Sequence, residues 1–361
     1  MPLAEMPTIQ RRCRCFRSLR CIFLCMSGWL MVALLLAGCS RQPRLNQFEG
    51  LAQGTSYHVS WWAVSPVDEV VLERAVVEEF ARIDGQISSY RDDSVLSRFS
   101  ANDATGPQTV GEEIVSLVER ARAVSQASDG CYDITVKPLF DLWGFMGDQL
   151  TPPGEAALRQ TLASVGMARL ETLDATRLRK ALPGLRVDLS SIGQGYSVGR
   201  IAGLLQRQGI NNYLVEIGGE LQTQGRKPDG TPWRVAVEKP LPGERQVHKI
   251  IILDRDELLS VMTSGTYRHY FDYQGRRYSH ILDARTGKPV EHKTVLVTVL
   301  HPDPTQADAW STALLCLGRE AGLPVADRFG IAALFIEEEG DAGLAESFSP
   351  SLSRLKGVEM R

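Results

Sequence analysis

The stretch VDLSSIGQGYSVGR, Val187–Arg200, limits what this chain can fold into more than any other. An apolar run ending in Leu189 predicts a strand. Gly193, Gly195 and Gly199 then predict a tight bend free of Cβ atoms, and Val198, Ile201 and Leu205 predict a helix leading away from it. Such a junction leaves backbone N–H groups unpaired at the positive end of a helix dipole, where an anion can sit. The hydroxyls of Ser190 and Ser191 and the carboxylate of Asp188 stand beside it. The expectation is a docked phosphate-bearing ligand, although glycine-rich strand-to-helix turns also occur without one. Val198 holds the position of the third glycine in the dinucleotide pattern G-x-G-x-x-G, so the spacing here is G-x-G-x-x-x-G. Glu216 follows about twenty residues on, where a dinucleotide-binding unit carries its acid, and keeps a Rossmann oxidoreductase as a competing reading.

The first forty residues differ from the rest. Five arginines between Arg11 and Arg20 precede the apolar run Cys21–Ala37, which is short of the roughly 20 residues a bilayer span needs. The run ends in Leu36-Ala37-Gly38-Cys39, which looks like a lipoprotein signal with Cys39 as the lipidated residue; an uncleaved anchor is the alternative. The expected organisation is a signal peptide over 1–38, a linker over 39–50, a domain over 51–340 and a C-terminal tail over 341–361. On either reading the domain works outside the cytoplasm, tethered to a membrane and on the periplasmic side if the signal is cleaved. Without residues 1–38 the chain has 35 basic and 42 acidic residues, a net charge of about −7, and no basic run. This argues against nucleic acid as a partner, because binding a phosphate backbone needs clustered cations. Of seven cysteines only Cys131 and Cys316 lie beyond Cys39, and whether they pair is open.

Period-two runs at NYLVEI, ELQTQG, WRVAVE, HKIIIL, LLSVM and TVLVTVL predict strands, as do YRHYFDY and RRYSHIL around Gln274-Gly275. RLRKA and LRVDL around Pro183-Gly184 predict a further hairpin. Helices are expected from Pro66 to Gln86 along Val70, Ala75, Val77, Phe80 and Ile83, over Gly111–Ser128, after Pro152-Pro153, and over Gln306–Leu317. Helices and strands segregate, so the fold class is α+β with largely antiparallel sheets flanked by helices.

Two further constellations carry chemistry. In ADAWST, Asp308 and Thr312 are four apart and share one helix face, and hard oxygen donors near a phosphate suit Mg²⁺. Asp in a first turn and Thr bonding its own helix explain the same pattern without metal. His280, ahead of the Asp283–Gly287 turn, is a surface residue or a general base, with Asp283 as the alternative base. Thr263-Ser264-Gly265 contacts a ligand or simply turns.

Taken in order, Gln53-Gly54-Thr55, ISSYRDDSVLSRFS, YDITVKPLFDLWGF, VDLSSIGQGYSV, YLVEIGGEL, TSGTYR, YSHILDARTG and ADAWSTALLCLG resemble the ApbE-type FAD:protein FMN transferases. The resemblance spans residues 48–320 and implies an ApbE, or T-fold-like, architecture. It implies FAD as substrate, Mg²⁺ as cofactor, and transfer of the FMN half to a threonine hydroxyl of an acceptor protein with release of AMP. The acceptors implied are FMN-binding subunits of Na⁺-translocating NADH:quinone reductase or Rnf-type complexes. Carried over residue by residue, Gln53, Tyr90, Cys131, Tyr132, Asp133, Asp188, Gln194 and Ile281 would line the FAD site. Ser191, the Gly193 carbonyl, Asp308, Ser311 and Thr312 would serve the cation, and His280 would be the catalytic residue. The sequence departs from the family pattern at Gln53, where Met is usual, at Gln194, where Lys or Glu is usual, and at Ser311, which is Asp in some members. Mg²⁺-dependent hydrolysis of FAD to FMN and AMP, and a non-catalytic FAD-binding lipoprotein, are the alternatives.

Overall fold

Alternating apolar residues build one eight-stranded sheet whose two faces are covered differently. In the computed structural model, which describes residues 43–145, 151–240, 246–340 and 343–361, the strands lie in the order Asn46–Ala52, Thr55–Trp62, Asn212–Ile217, Glu220–Gln224, Leu259–Gly265, Thr294–His301, Ala332–Glu338 and Leu344–Phe348. Every neighbouring pair is antiparallel. The expected α+β class holds, and the parallel sheet that a Rossmann unit requires is not what these strands form. Residues 1–38, expected to be a signal peptide, and Cys39, the expected lipid site, lie outside the described residues.

Side chains alternate across a strand, so one strand serves two cores. Val297, Val299, Ala333 and Phe335 join Tyr57, Val59, Trp61, Tyr213, Val215 and Met262 under the helices. Leu296, Leu300, Leu334 and Ile336 point the other way, onto the three-stranded sheet of Trp233–Glu238, Val247–Leu253 and Val358–Met360. A satellite core under the helices Lys137–Trp143 and Glu155–Leu162 gathers Leu139, Trp143, Leu158, Phe271 and Leu282. Among the described residues no helix is long and apolar enough to cross a membrane.

Several elements differ from expectation. The first helix, Glu69–Ile87, is capped by Asp68 and buries Leu72, Val76, Phe80, Ile83 and Ile87, whereas Val70 and Val77 are exposed. Its sequence carries two apolar stripes, and only the one through Leu72 meets the sheet. Pro183-Gly184 turns no hairpin. Instead Leu170–Thr172 pairs with Arg177–Lys180 around Asp174, whose carboxylate accepts from the N–H groups of Thr176 and Arg177. The expected linker ends early, because Asn46 already opens a strand. The expected tail is structural: Leu344–Phe348 forms a sheet edge and Val358–Met360 extends the small sheet.

Candidate functional site

The glycines do not make a turn. The helix starts at Ser190 and runs to Arg207, with Gly193, Gly195 and Gly199 inside it. Residues 185–189 belong to no strand or helix; Asp188 N–H donates to the Ile134 carbonyl, and the Asp188 carboxylate accepts from Ser190 N–H at 2.7 Å. Glycine inside a helix costs about 1 kcal/mol relative to alanine, so something must offset it. The offset is contact with the long helix that opens the segment Pro304–Arg328, in which Gly318, with φ of 70°, breaks the helical backbone into two helices. A Cβ on Gly195 would lie 2.3 Å from the Pro304 carbonyl oxygen and 2.6 Å from Asp308 Cβ, and one on Gly199 would lie 2.9 Å from Pro304 Cγ. The two helices touch backbone to side chain along this seam.

The seam aims the Asp308 side chain. Its Oδ2 accepts from Gly195 N–H at 2.8 Å, competing with the Ser191 carbonyl, the usual acceptor one turn back. Asp308 is buried, and loss of water raises its carboxyl to about 7, only partly opposed by that N–H. One turn on, Thr312 Oγ1 and Ser311 Oγ lie 3.0 and 2.8 Å from Ser264 Oγ. The Ser311 hydroxyl also reaches the Asp308 carbonyl at 2.8 Å. Ser191 Oγ donates to Tyr132 Oη at 3.1 Å, and burial pushes the Tyr132 phenol up. A carboxylate with several hydroxyls is a hard oxygen set of the kind that holds Mg²⁺. The Gly193 carbonyl already accepts the Ser197 hydroxyl at 2.9 Å.

Around this centre the other expected residues take up different roles. Gln53 sits in the turn after Asn46–Ala52 with φ of 54°; its Nε2 donates to Ser197 Oγ at 2.9 Å, while its buried Oε1 has no partner among the described residues. Gln194 packs beside Thr55 at the Gly218 turn. Tyr90 is exposed, beside Ser190 and Asp188. Ile281 is buried in the helix-side core. Asp133 is committed elsewhere: its oxygens accept from Thr135 N–H, Thr135 Oγ1 and Met167 N–H at 2.6–2.8 Å, so its carboxylate fixes the loop. Cys131 is bonded to Cys316 in a disulfide. Cys316 is four residues beyond Thr312 on the long helix, Ala284 N–H donates to the Cys131 carbonyl, and the disulfide therefore ties the 131–133 loop and the 281–284 segment to the helix that carries Asp308 and Thr312.

His280 lies at that 281–284 segment. Its ring meets the His269 carbonyl through Nδ1 at 2.9 Å. A carbonyl only accepts, so Nδ1 carries the proton and Nε2 keeps its lone pair. Burial, with His269 next to it, pushes the imidazole down to about 4, so it is neutral at pH 7. Asp283, the alternative base, accepts from the Arg285 guanidinium through Oδ1 at 2.9 Å and Oδ2 at 2.8 Å. Two groups escaped the sequence reading, Glu220 and Arg268. The signal for Glu220 was an acid directly after Gly218-Gly219; nothing in the local sequence points it at Asp308.

A family model for the ApbE family matches residues 53–335. The chain is 38% identical over 340 residues to the FAD:protein FMN transferase of Vibrio cholerae, covering 91% of this chain and all of that one. It is 34% identical to the FAD:protein FMN transferase of Escherichia coli K12, covering 87% of this chain and 92% of the relative. Among solved structures, it superposes on the apo flavinyl transferase ApbE of Pseudomonas stutzeri with a TM-score of 0.79 at 37% identity, covering 88% of this chain and 99% of that one. The flavin transferase ApbE of Vibrio cholerae gives 0.77 at 36%, with 86% and 99% covered. Matched along nearly its whole described length in sequence and in fold, the chain belongs to the ApbE family.

Proposed function

We propose that this chain transfers the FMN half of FAD to a threonine hydroxyl of an acceptor protein, releasing AMP, with Mg²⁺ at Asp308 and Thr312. The observation that carries this reading is the seam that delivers a buried Asp308 carboxylate to the start of a helix, with Thr312, Ser311 and Ser191 hydroxyls around it. When bound, the cation neutralises charge on the diphosphate and its leaving oxygen. The Ser190 end of the glycine helix orients anionic oxygens, and Asp308 and Thr312 fix the ion against the helix. His280 Nε2 takes the proton of the attacking threonine hydroxyl. The threonine oxygen bonds to the FMN-side phosphorus, the bond from that phosphorus to the AMP oxygen breaks, and AMP leaves with the electron pair. Nδ1–H, held by the His269 carbonyl, keeps Nε2 free for this role.

By the family pattern, Gln194 brings a neutral amide to the FAD site where Lys or Glu is usual, and the neutral Ser311 leaves the ion one anionic ligand fewer from the long helix than in members with Asp there. The acceptors fitting this chemistry are FMN-carrying subunits of membrane redox pumps, met on the periplasmic side with the domain tethered through lipid on Cys39. The test is to incubate the leaderless protein with FAD, Mg²⁺ and an acceptor bearing the threonine motif. The expected result is a gain in acceptor mass equal to FMN. Free FMN and AMP with no acceptor modification would instead make the chain an FAD hydrolase, and intact FAD would leave a binding protein.

A further inference from the structure

The most deeply buried acid not yet given a role is Glu220. It opens the strand Glu220–Gln224 directly after Gly218 and Gly219, whose φ angles of 62° and 103° make a two-residue hairpin turn that only glycine adopts without cost. Glu220 pairs with Ile217, which lies in the helix-side core, and cross-strand partners share a face. Its side chain is therefore aimed at the helical layer, and only 7% of the residue is exposed. Oε2 accepts from Thr263 N–H at 2.9 Å. The next residue, Ser264, is the one whose hydroxyl meets Ser311 and Thr312.

Burial and the charge of Asp308 both push the Glu220 carboxyl well up. Through Thr263 N–H and the neighbouring Ser264 hydroxyl, the Glu220 carboxylate is tied to the same Ser311–Thr312 hydroxyls that lie one turn beyond Asp308. Arg268 also acts on Glu220, and its guanidinium is engaged with the Gly218 carbonyl at 3.2 Å and with Glu238 at 2.8 Å. Resting on the reading that a divalent cation sits at Asp308, we propose that Glu220 is the second carboxylate of that cation centre. It supplies the anionic ligand that the neutral Ser311 does not, and its bond to Thr263 holds Ser264 in register with Thr312.

The test measures Mn²⁺ binding to FAD-free protein by electron paramagnetic resonance, together with melting temperature with and without Mg²⁺. Glu220→Gln keeps an acceptor for Thr263 N–H and removes the charge. The expected result is Mn²⁺ affinity weakened about 10–100-fold, a raised melting temperature without metal, and loss of most of the Mg²⁺-induced rise. Wild-type Mn²⁺ affinity in Glu220→Gln, with Asp308→Asn weakening it, overturns this proposal and leaves the Asp308 site standing. Unchanged affinity in Asp308→Asn instead overturns the cation reading itself. Should Glu220→Gln not fold, Glu220→Asp withdraws the charge by one methylene, and weakened Mn²⁺ binding is expected; wild-type affinity there overturns the proposal equally.

Discussion

The proposed cation end and the proposed base end of this site respond to burial in opposite directions. At one end burial drives Asp308 up to about 7; at the other it drives His280 down to about 4. The cause is the same, since a low-dielectric setting favours whichever form is neutral. The consequences differ. A neutral imidazole is what a general base needs, so at His280 folding and function agree. A neutral carboxyl is what a metal ligand must not be, so at Asp308 they conflict until a cation arrives. Under the proposed function the base end is ready as folded, whereas the cation end would be completed by its ion.

The largest test of this contrast is Asp308→Ala, which is expected to abolish Mg²⁺-dependent FMN transfer in a mass-spectrometric acceptor assay; full activity would remove Asp308 as a ligand. His280→Ala follows, with transfer slowed roughly 10²–10⁴-fold and FAD affinity nearly intact by fluorescence titration. A loss below tenfold points to another base. The disulfide tests whether the two ends are mechanically joined. Replacing Cys131 and Cys316, 185 residues apart, by Ala and Val is expected to cost roughly 2–5 kcal/mol in denaturant unfolding. Wild-type stability in that double variant would show that the 131–133 loop is held without the bond.

Gly195→Ala sharpens the cation side alone. In an ordinary helix this change stabilises by up to about 1 kcal/mol. Here the new methyl meets the Pro304 carbonyl, so a loss of roughly 1–3 kcal/mol is expected, read from the denaturation midpoint. A gain in stability would mean that the helices do not touch. The smallest effect is on pH dependence. The folded His280 value lies below its ordinary 6.5, so its contribution to stability is present above pH 6.5 and is lost as pH falls through about 4. The folded Asp308 value lies above its ordinary 3.8, so its contribution in metal-free protein is present at low pH and is lost as pH rises through about 7. Melting curves of His280→Ala and Asp308→Asn should each flatten one of these limbs and leave the other; a single variant that removes both limbs would contradict the separation.

Much of this was open to reading before any coordinates. The strands at Asn212–Ile217, Val247–Leu253 and Thr294–His301 follow from two-residue alternation, and the helix Glu112–Ala127 buries Ile114, Leu117, Ala121 and Val124 as their spacing requires. Asp308 and Thr312 share a helix face for the same local reason. Local periodicity also misled. In the stretch after Leu189, glycine frequency reads as a turn, because sequence shows that side chains are missing without showing what fills their place.

What the sequence determined by itself is therefore the set of elements, their inward faces and the residue types able to do the chemistry, since these depend on neighbours a few positions away. Tertiary structure alone decided that Gly195 and Gly199 are the seam of two helices, and that Gly195 N–H meets a carboxylate 113 residues on. It also decided that Asp133 is spent on its own loop and that Glu220 is buried within reach of Asp308's charge. Those facts depend on which surfaces exclude water together, and burial belongs to the assembled layers rather than to any one stretch of chain.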